Sequence, residues 1–191
     1  VTSLITDGRG LSDITQGITL EVFGEGNSMG PLSPVMKTEF PKYWAGINPG
    51  WTTLGEYLEF LETKGVAPNI ASFIGATTPR IHVLGQDDVD PTPQQLKLMQ
   101  ELVREAMREG AVGVASSLIY TPASFAETDE LVALAKAAAE YGGIYASHLR
   151  NEGKQIFDAL DELITISREA AIPAEIYHLK IAHPPSWDRF D

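Results

Sequence analysis

Short apolar runs rich in β-branched residues alternate with segments of helical periodicity along most of this 191-residue chain. The pattern predicts five strands, at 18–23, 69–75, 111–117, 143–148 and 174–179. It also predicts four helices that separate them, at 53–65, 90–110, 127–143 and 151–171. Because strand, helix and strand in succession form the unit of a parallel sheet, this order restricts the chain to an α/β fold.

Two architectures have this order of elements, a closed barrel and an open doubly wound sheet. A dinucleotide-binding sheet is not indicated, because no Gly-x-Gly-x-x-Gly motif follows an early strand. Polar candidates collect at the carboxyl ends of several strands, where barrel enzymes keep their active sites. A complete barrel has eight strands and about 250 residues. We therefore expect residues 1–191 to be one domain, the central portion (about five βα units) of a TIM-type barrel from a longer protein.

Composition and local patterning narrow the function classes. The formal net charge of −12 argues against a nucleic-acid partner, and the chain contains no cysteine, which excludes thiolate nucleophiles and cysteine zinc ligands. No apolar run reaches the roughly 20 residues of a membrane span, so no membrane partner is predicted and a cytoplasmic location is the default. The segment 24–52 is rich in Gly and Pro, and it predicts a long loop that faces the substrate.

Two of the four histidines occupy matching places in a repeated phrase, IYASHLR at 144–150 and EIYHLK at 175–180. Each phrase is predicted to end a strand, so His148 and His178 lie at equivalent ends of neighbouring parallel strands, about 4.8 Å apart. Two imidazoles at that spacing can bind one zinc ion. The alternative for each ring is a hydrogen bond to nearby backbone, but the matched pair favours a metal site.

A third metal ligand is expected from the end of another strand. Glu25 follows directly after the first predicted strand, and a carboxylate oxygen is an acceptable zinc ligand. Two alternatives remain open at this point: a turn in which Glu25 faces water, and Glu21, inside the strand, as the ligand.

Two cations follow the histidines at equal spacing. Lys180 lies two residues beyond His178 on the same face of the chain, where it can stabilise a carbonyl oxygen in catalysis or attract a substrate carboxylate. A plain surface lysine is the alternative. Arg150 has the same spacing from His148 and can bind a substrate carboxylate, although an ion pair with Glu152 is the favoured alternative.

Tyr120, which follows the third strand, can line a substrate pocket, although a packed tyrosine with a satisfied hydroxyl is the favoured alternative. His82 and His183 have no matched partner, and we expect them to be structural or surface residues. Ser116 and Ser117 are not expected to be nucleophiles, because no Gly-x-Ser-x-Gly elbow surrounds them.

Five stretches together resemble the N-acyl-D-amino-acid deacylases (D-aminoacylases) of the amidohydrolase superfamily. In order they are DITQGITLEVFGEGNSMGPL, ASFIGATTPR, GAVGVASSLIYTP, YASHLRNEG and EIYHLKIA, from about residue 10 to 182. The resemblance implies an amidohydrolase barrel with zinc at its mouth and with His148 and His178 as ligands. Many members have a cysteine as the remaining ligand. Related sequences with a GEG segment have a glutamate there, which implies Glu25.

The resemblance also implies the reaction, which is hydrolysis of the amide bond of an N-acyl-D-amino acid by metal-activated water, with Lys180 near the substrate. It implies one tight zinc site and a second, weaker site completed by residues outside this chain. The family's His-x-His pair and its general-base aspartate are expected before Val1 and after Asp191. We therefore expect little activity from this chain alone.

Two other functions are consistent with the sequence. One is a catalytically silent, truncated barrel segment that forms a homo-oligomer through its open sheet edges. The other is a related amidohydrolase, such as a dipeptidase or a cyclic-amide hydrolase, which shares the ligands but not the substrate.

Overall fold

The computed structural model describes residues 2–43 and 46–189. Its paired strands all run parallel, β1 beside β2 in one sheet and β3, β4, β5 and β6 in that order in another. The strands are β1 (Leu20–Phe23), β2 (Asn69–Ser72), β3 (Ile74–Gly75), β4 (Gly113–Ser117), β5 (Ile144–His148) and β6 (Ala174–Ile176). The five predicted strands are therefore present, and the second of them is divided into β2 and β3.

The division falls at Phe73, where the chain exchanges one neighbouring strand for another. β2 pairs with β1, and β3 pairs with β4. The amide of Phe73 still donates to the carbonyl of Phe23, 2.8 Å away, so the backbone remains satisfied across the break.

Eight α-helices occur in the described parts of the chain, and four of them are the predicted ones. They are α1 (Thr2–Thr6), α2 (Leu11–Ile14), α3 (Pro34–Tyr43), α4 (Leu54–Lys64), α5 (Thr77–Leu84), α6 (Pro93–Arg108), α7 (Thr128–Ala139) and α8 (Ile156–Ala170). The predicted helices α4 and α6 each begin with a capping box, at Thr53 and Thr92. None of the described helices is long and apolar enough to cross a membrane.

The prediction of an unbroken loop at 24–52 is wrong in its middle, where α3 forms. Pro34 occupies the first turn, where its missing N–H costs nothing, and the Ser33 hydroxyl accepts from the amide of Met36 at 3.2 Å. Residues 44 and 45 of the predicted loop lie outside the described residues.

The strands separate two apolar regions. Val114 and Tyr145 point to the helices and belong to the large core that α4, α6, α7 and α8 cover. Ala115 and Ala146 point to the other face and form a small cluster with Phe73. Because the strands follow one another in sequence order with helices on one side, this arrangement is part of a (β/α) barrel whose inner face carries the small cluster.

One ion pair is buried in the helical layer. Arg80 of α5 and Glu130 of α7 are 1% and 4% exposed, and their closest N–O distance is 2.5 Å. Arg80 also donates to the carbonyl of Val89 at 2.8 Å. Burial raises the pKa of Glu130, and the charge of Arg80 opposes that rise.

Candidate metal centre

Three predicted ligands meet at the carboxyl ends of the strands. Glu25 follows β1, His148 is the last residue of β5, and His178 follows β6. One ligand atom from each lies within 4.8 Å of the other two. The structure therefore brings together the three side chains that the sequence analysis selected.

One carboxylate oxygen lies between the two rings. Oε1 of Glu25 is 3.2 Å from Nδ1 of His148 and 3.3 Å from Nε2 of His178. The two imidazole centroids are 4.4 Å apart, with an interplanar angle of 80°. His148 is buried, while the side chains of His178 and Glu25 are 44% and 46% exposed. The set is thus fixed on one side and open to solvent on the other.

The donor set matches the chemistry of zinc. Two imidazole nitrogens and one carboxylate oxygen are common zinc ligands, and three protein ligands with an open side are typical of catalytic sites. A second carboxylate, from Glu152, lies beside the same rings, and Lys180 is the cation that pairs with it. Two carboxylates beside one ammonium leave an excess of negative charge, which favours a bound cation.

Backbone contacts carry Glu25 to the histidines. Gly24 has φ +92°, and a Cβ at this position would lie 2.3 Å from the carbonyl oxygen of Phe73. Only glycine allows this approach, and it turns the chain after β1 across the end of the neighbouring strand. The competing ligand Glu21 lies further back in β1. Burial raises the pKa of Tyr57, and the negative charge of Glu21 adds to that rise. The geometry therefore favours Glu25 over Glu21.

His178 has an uncommon backbone conformation. Its φ is +35°, in the left-handed region that side chains other than glycine rarely adopt. The strand pairing continues as far as the bond from the amide of Tyr177 to the carbonyl of Ser147, 2.9 Å. Burial, with a smaller contribution from the charge of Glu25, raises the pKa of Tyr177 to about 12. The chain thus turns sharply at the candidate ligand itself. Strained backbone conformations of this kind are often found at functional sites.

A chain of hydroxyl groups supports the strand that carries His148. The Tyr145 hydroxyl lies 2.6 Å from Oγ of Ser116, which donates to Oγ of Ser147 at 3.0 Å. Ser147 in turn donates to the carbonyl oxygen of His148 at 3.1 Å. Burial raises the pKa of Tyr145 to about 12, so this phenol stays protonated at neutral pH. These bonds fix the end of β5 from the helical side.

Glu152 is the residue that the sequence analysis missed. One of its oxygens lies 3.4 Å from Nε2 of His148 and 3.5 Å from Nδ1 of His178. The same oxygen accepts a short hydrogen bond from Nζ of Lys180. Its position four residues after His148 was the available signal, but the sequence favoured Arg150 as its partner.

Lys180 lies where it was predicted, at the edge of the cluster. Its Nζ is 3.1 Å from Nδ1 of His178, and its side chain is 53% exposed. Tyr120 lies on another side, with its ring 5.4 Å from that of His148 and an exposure of 61%. The catalytic and substrate-binding roles of Lys180 and the substrate-binding role of Tyr120 remain predictions, and both side chains can be reached from solvent.

Arg150 is engaged elsewhere, and the predicted ion pair with Glu152 is wrong. Its guanidinium binds both carboxylate oxygens of Glu162, at 2.8 and 2.9 Å, and the carbonyls of Ser124 and Ala126. The reason is that Glu162 of α8 offers a bidentate contact, which Glu152 cannot do while it holds Lys180. Four of the five guanidinium N–H groups are used, so the geometry favours a structural role over the predicted substrate contact.

The remaining histidines lie outside the cluster formed by the described residues. Nδ1 of His82 is 3.4 Å from the carbonyl of Pro31, and Nδ1 of His183 is 2.8 Å from the hydroxyl of Ser186. The first contact joins positions 51 apart and the second is local, and both agree with the structural roles expected for these two residues.

Comparison with known proteins gives a consistent result, although no protein-family model matches the sequence. The D-aminoacylase of Alcaligenes xylosoxydans xylosoxydans is 32% identical over 180 residues, which cover 92% of this chain and 37% of that protein. A crystal structure of D-aminoacylase, described as defining a novel subset of amidohydrolases, has 29% identity and a TM-score of 0.84. The match covers 98% of this chain and 40% of that one.

A second solved structure contains a metal. N-acyl-D-glutamate deacylase from Bordetella bronchiseptica, in complex with zinc and a phosphonate that mimics the tetrahedral intermediate, is 25% identical with a TM-score of 0.84. The match again covers 98% of this chain and 40% of that one.

The resemblance and the fold class predicted from the sequence are thus confirmed. The chain is a homologue of the N-acyl-D-amino-acid deacylases over about nine-tenths of its length, and its parallel strands form part of a TIM-type barrel. It spans a little over a third, 37%, of the length of the curated D-aminoacylase that it matches.

Proposed function

We propose, from this homology, that the protein carrying this chain is a zinc-dependent amidohydrolase that hydrolyses the amide bond of N-acyl-D-amino acids. We further propose that Glu25, His148 and His178 hold the zinc ion. The observation that carries the proposal is the convergence of their ligand atoms, within 4.8 Å of one another, at the ends of three strands. The solved structure of a homologue with zinc and an inhibitor supports the choice of metal.

A zinc ion at this position would supply Lewis acidity, polarising the acyl carbonyl and activating water for attack. The residues of this chain provide the rest of the environment. Buried His148 fixes one side of the site, while the exposed sides of Glu25 and His178 leave room for substrate.

The proposed role of Lys180 is to bind negative charge on the substrate, and its position beside His178 supports this role. An ammonium group has three N–H donors, and Glu152 accepts one of them. The others can reach the oxyanion that develops from the carbonyl, or the carboxylate of the amino acid. Tyr120 lies beside His148 with most of its ring exposed, so it can line the substrate side of the site.

The test measures metal content and hydrolysis together in the full-length protein that carries this chain. We expect about one tightly bound zinc per chain and hydrolysis of N-acetyl-D-amino acids but not of their L-enantiomers. His148→Ala and His178→Ala should each lose the zinc and the activity. His183→Ala is the matched control, because it removes an imidazole outside the cluster and should retain both.

Each contrary result has a distinct meaning. Zinc retained in both cluster variants would disprove the ligand assignment. Zinc bound normally, with hydrolysis of dipeptides or cyclic amides in place of N-acyl-D-amino acids, would disprove the substrate class but leave the metal centre intact.

A further inference from the structure

The two histidine rings of the centre face carboxylates on both sides. On one side, Nδ1 of His148 and Nε2 of His178 lie 3.2 and 3.3 Å from Oε1 of Glu25. On the other side, the remaining two nitrogens lie 3.4 and 3.5 Å from a single oxygen of Glu152. Each ring therefore presents one nitrogen to Glu25 and the other to Glu152.

Glu152 is held in place independently of the rings. Its side chain is 14% exposed and accepts the hydrogen bond from Lys180. Its backbone carbonyl accepts from the amide of Ala182 at 2.7 Å, which ties it to the segment that follows His178. The turn that carries it is closed by the side-chain oxygen of Asn151, which accepts from the amide of Gly153 at 2.8 Å.

One ring nitrogen of His148 is buried without a hydrogen bond. This atom, Nε2, has no hydrogen-bond partner among the described residues, although the Glu152 oxygen is 3.4 Å away. This distance is just beyond the roughly 2.7–3.2 Å of a formed N–H···O bond. Among the described residues, the Glu152 oxygen is the acceptor that faces this nitrogen.

Ring chemistry then assigns the two carboxylates different tasks. A neutral imidazole that binds a metal through one nitrogen carries its proton on the other, and that N–H needs an acceptor. If the nitrogens that face Glu25 bind zinc, the N–H groups of both rings point to Glu152. A carboxylate has lone pairs for about four hydrogen bonds on its two oxygens, so Glu152 can accept from both rings and from Lys180.

We propose that Glu152 is a positioning residue that orients both zinc-binding histidines by accepting an N–H bond from each ring. This inference rests on the zinc site proposed above. It also specifies the tautomers: His148 carries its proton on Nε2 and His178 on Nδ1.

The assignment has a consequence for Lys180. An Nδ1 that carries a proton cannot accept from Nζ of Lys180, which now lies 3.1 Å away. In the zinc-bound state the ammonium therefore has Glu152 as its acceptor in this cluster and keeps two N–H groups for substrate. Glu152 would thus set the orientation of the histidines and the position of the lysine together.

The first experiment measures zinc affinity by competition with a chromophoric chelator in the full-length protein. We expect Glu152→Ala to weaken zinc binding by about 10- to 100-fold, the usual effect of losing an outer carboxylate. Glu152→Gln keeps the size and one acceptor oxygen, so its loss should be smaller. Glu175→Ala is the matched control. It also removes one carboxylate, from an exposed position on β6 three residues before His178.

The second experiment identifies the ligating nitrogen of each imidazole by ¹⁵N NMR of the zinc-loaded protein. The choice of nitrogen would not depend on Glu152 if its role were merely structural. We expect ligation through Nδ1 of His148 and Nε2 of His178. Ligation through the opposite nitrogens would overturn the inference, because Glu152 would then lie on the metal side.

The outcomes separate the two proposals. A wild-type protein that binds no zinc would disprove the metal centre itself, and with it the role of Glu152. Normal zinc binding with unchanged affinity in Glu152→Ala, or an equal loss in Glu175→Ala, would disprove only the positioning role.

Discussion

Two groups of charged side chains among the described residues differ in how their charges are balanced. Between helices α5 and α7, Arg80 meets the single carboxylate of Glu130, and both are almost completely buried. At the carboxyl ends of β1, β5 and β6, the carboxylates of Glu25 and Glu152 surround two imidazoles with only Lys180 as the cation. The first group is neutral as a pair, and the second has an excess negative charge.

The difference separates a structural ion pair from the proposed metal-binding site. A buried pair is tolerated only when each charge has its partner, because desolvation of an unpaired ion costs several kcal/mol. An excess charge can persist where solvent or a metal ion reaches it, and the 44–53% exposure of His178, Glu25 and Lys180 provides that access. Burial of charge alone therefore does not distinguish the two groups, whereas charge imbalance together with exposure does, and it supports the metal site proposed above.

The largest effect should come from unpairing the buried ions. Glu130→Ala leaves the Arg80 guanidinium buried without its partner, and we expect a loss of about 3–5 kcal/mol in the free energy of unfolding. Urea denaturation at pH 7 measures it. The double variant Arg80→Met/Glu130→Leu should recover most of the loss, because it removes both charges. A double variant as unstable as the single one would show that packing, not charge, is responsible.

A smaller effect should appear in the pH dependence of stability. The pKa of Glu130 is raised in the folded state, so the folded protein binds this proton more tightly than the unfolded chain does. The contribution of Glu130 to stability is thus greatest below its unfolded pKa and declines as the pH rises through the folded pKa, by about 1.4 kcal/mol per unit of difference. Glu130→Gln should flatten this decline in denaturation curves recorded from about pH 4 to about pH 8, a range that begins near the ordinary pKa of glutamate. An unchanged decline would assign it to other groups.

The smallest effect is expected at the strand ends. Glu25→Gln and Lys180→Met alter half-exposed side chains, and without metal each should change the free energy of unfolding by no more than about 0.5 kcal/mol. Glu25→Gln removes the excess negative charge and should leave the stability unchanged or slightly increased, whereas Lys180→Met increases that excess and should decrease the stability slightly. The same urea titration, in the presence of a chelator, measures this. A loss comparable to that of Glu130→Ala would remove the distinction between the two regions.

Periodic elements were predictable from the sequence because their signals are local. Helix α6 has a capping box at Thr92 and a regular apolar face, and β5 is a short apolar run between a glycine pair and a polar turn. Helix α5 was not predicted, because its sequence, TTPRIHVL, contains a proline and has only a weak apolar face. Its buried residues include Arg80, whose partner Glu130 is 50 positions away.

The part of the candidate site that lies at the ends of strands was predictable from the sequence. His148 and His178 repeat one phrase, and Glu25 follows a strand, so topology places all three together. Glu152 was not predictable in the same way, because it lies beyond the strand in a turn. Its contact with Lys180, 28 positions later, depends on how the two turns fold over each other.

The left-handed backbone of His178 affects which residues would replace this histidine during evolution. A residue with a side chain costs about 1–2 kcal/mol at that conformation, whereas glycine costs almost nothing. Selection for stability alone would therefore replace this histidine early, whereas selection for the metal-binding role proposed above would retain it. In a library evolved solely for thermal resistance, glycine or asparagine should accumulate at position 178 before position 148 changes, because His148 is an extended, buried strand residue. The site would then be lost through a gain in stability.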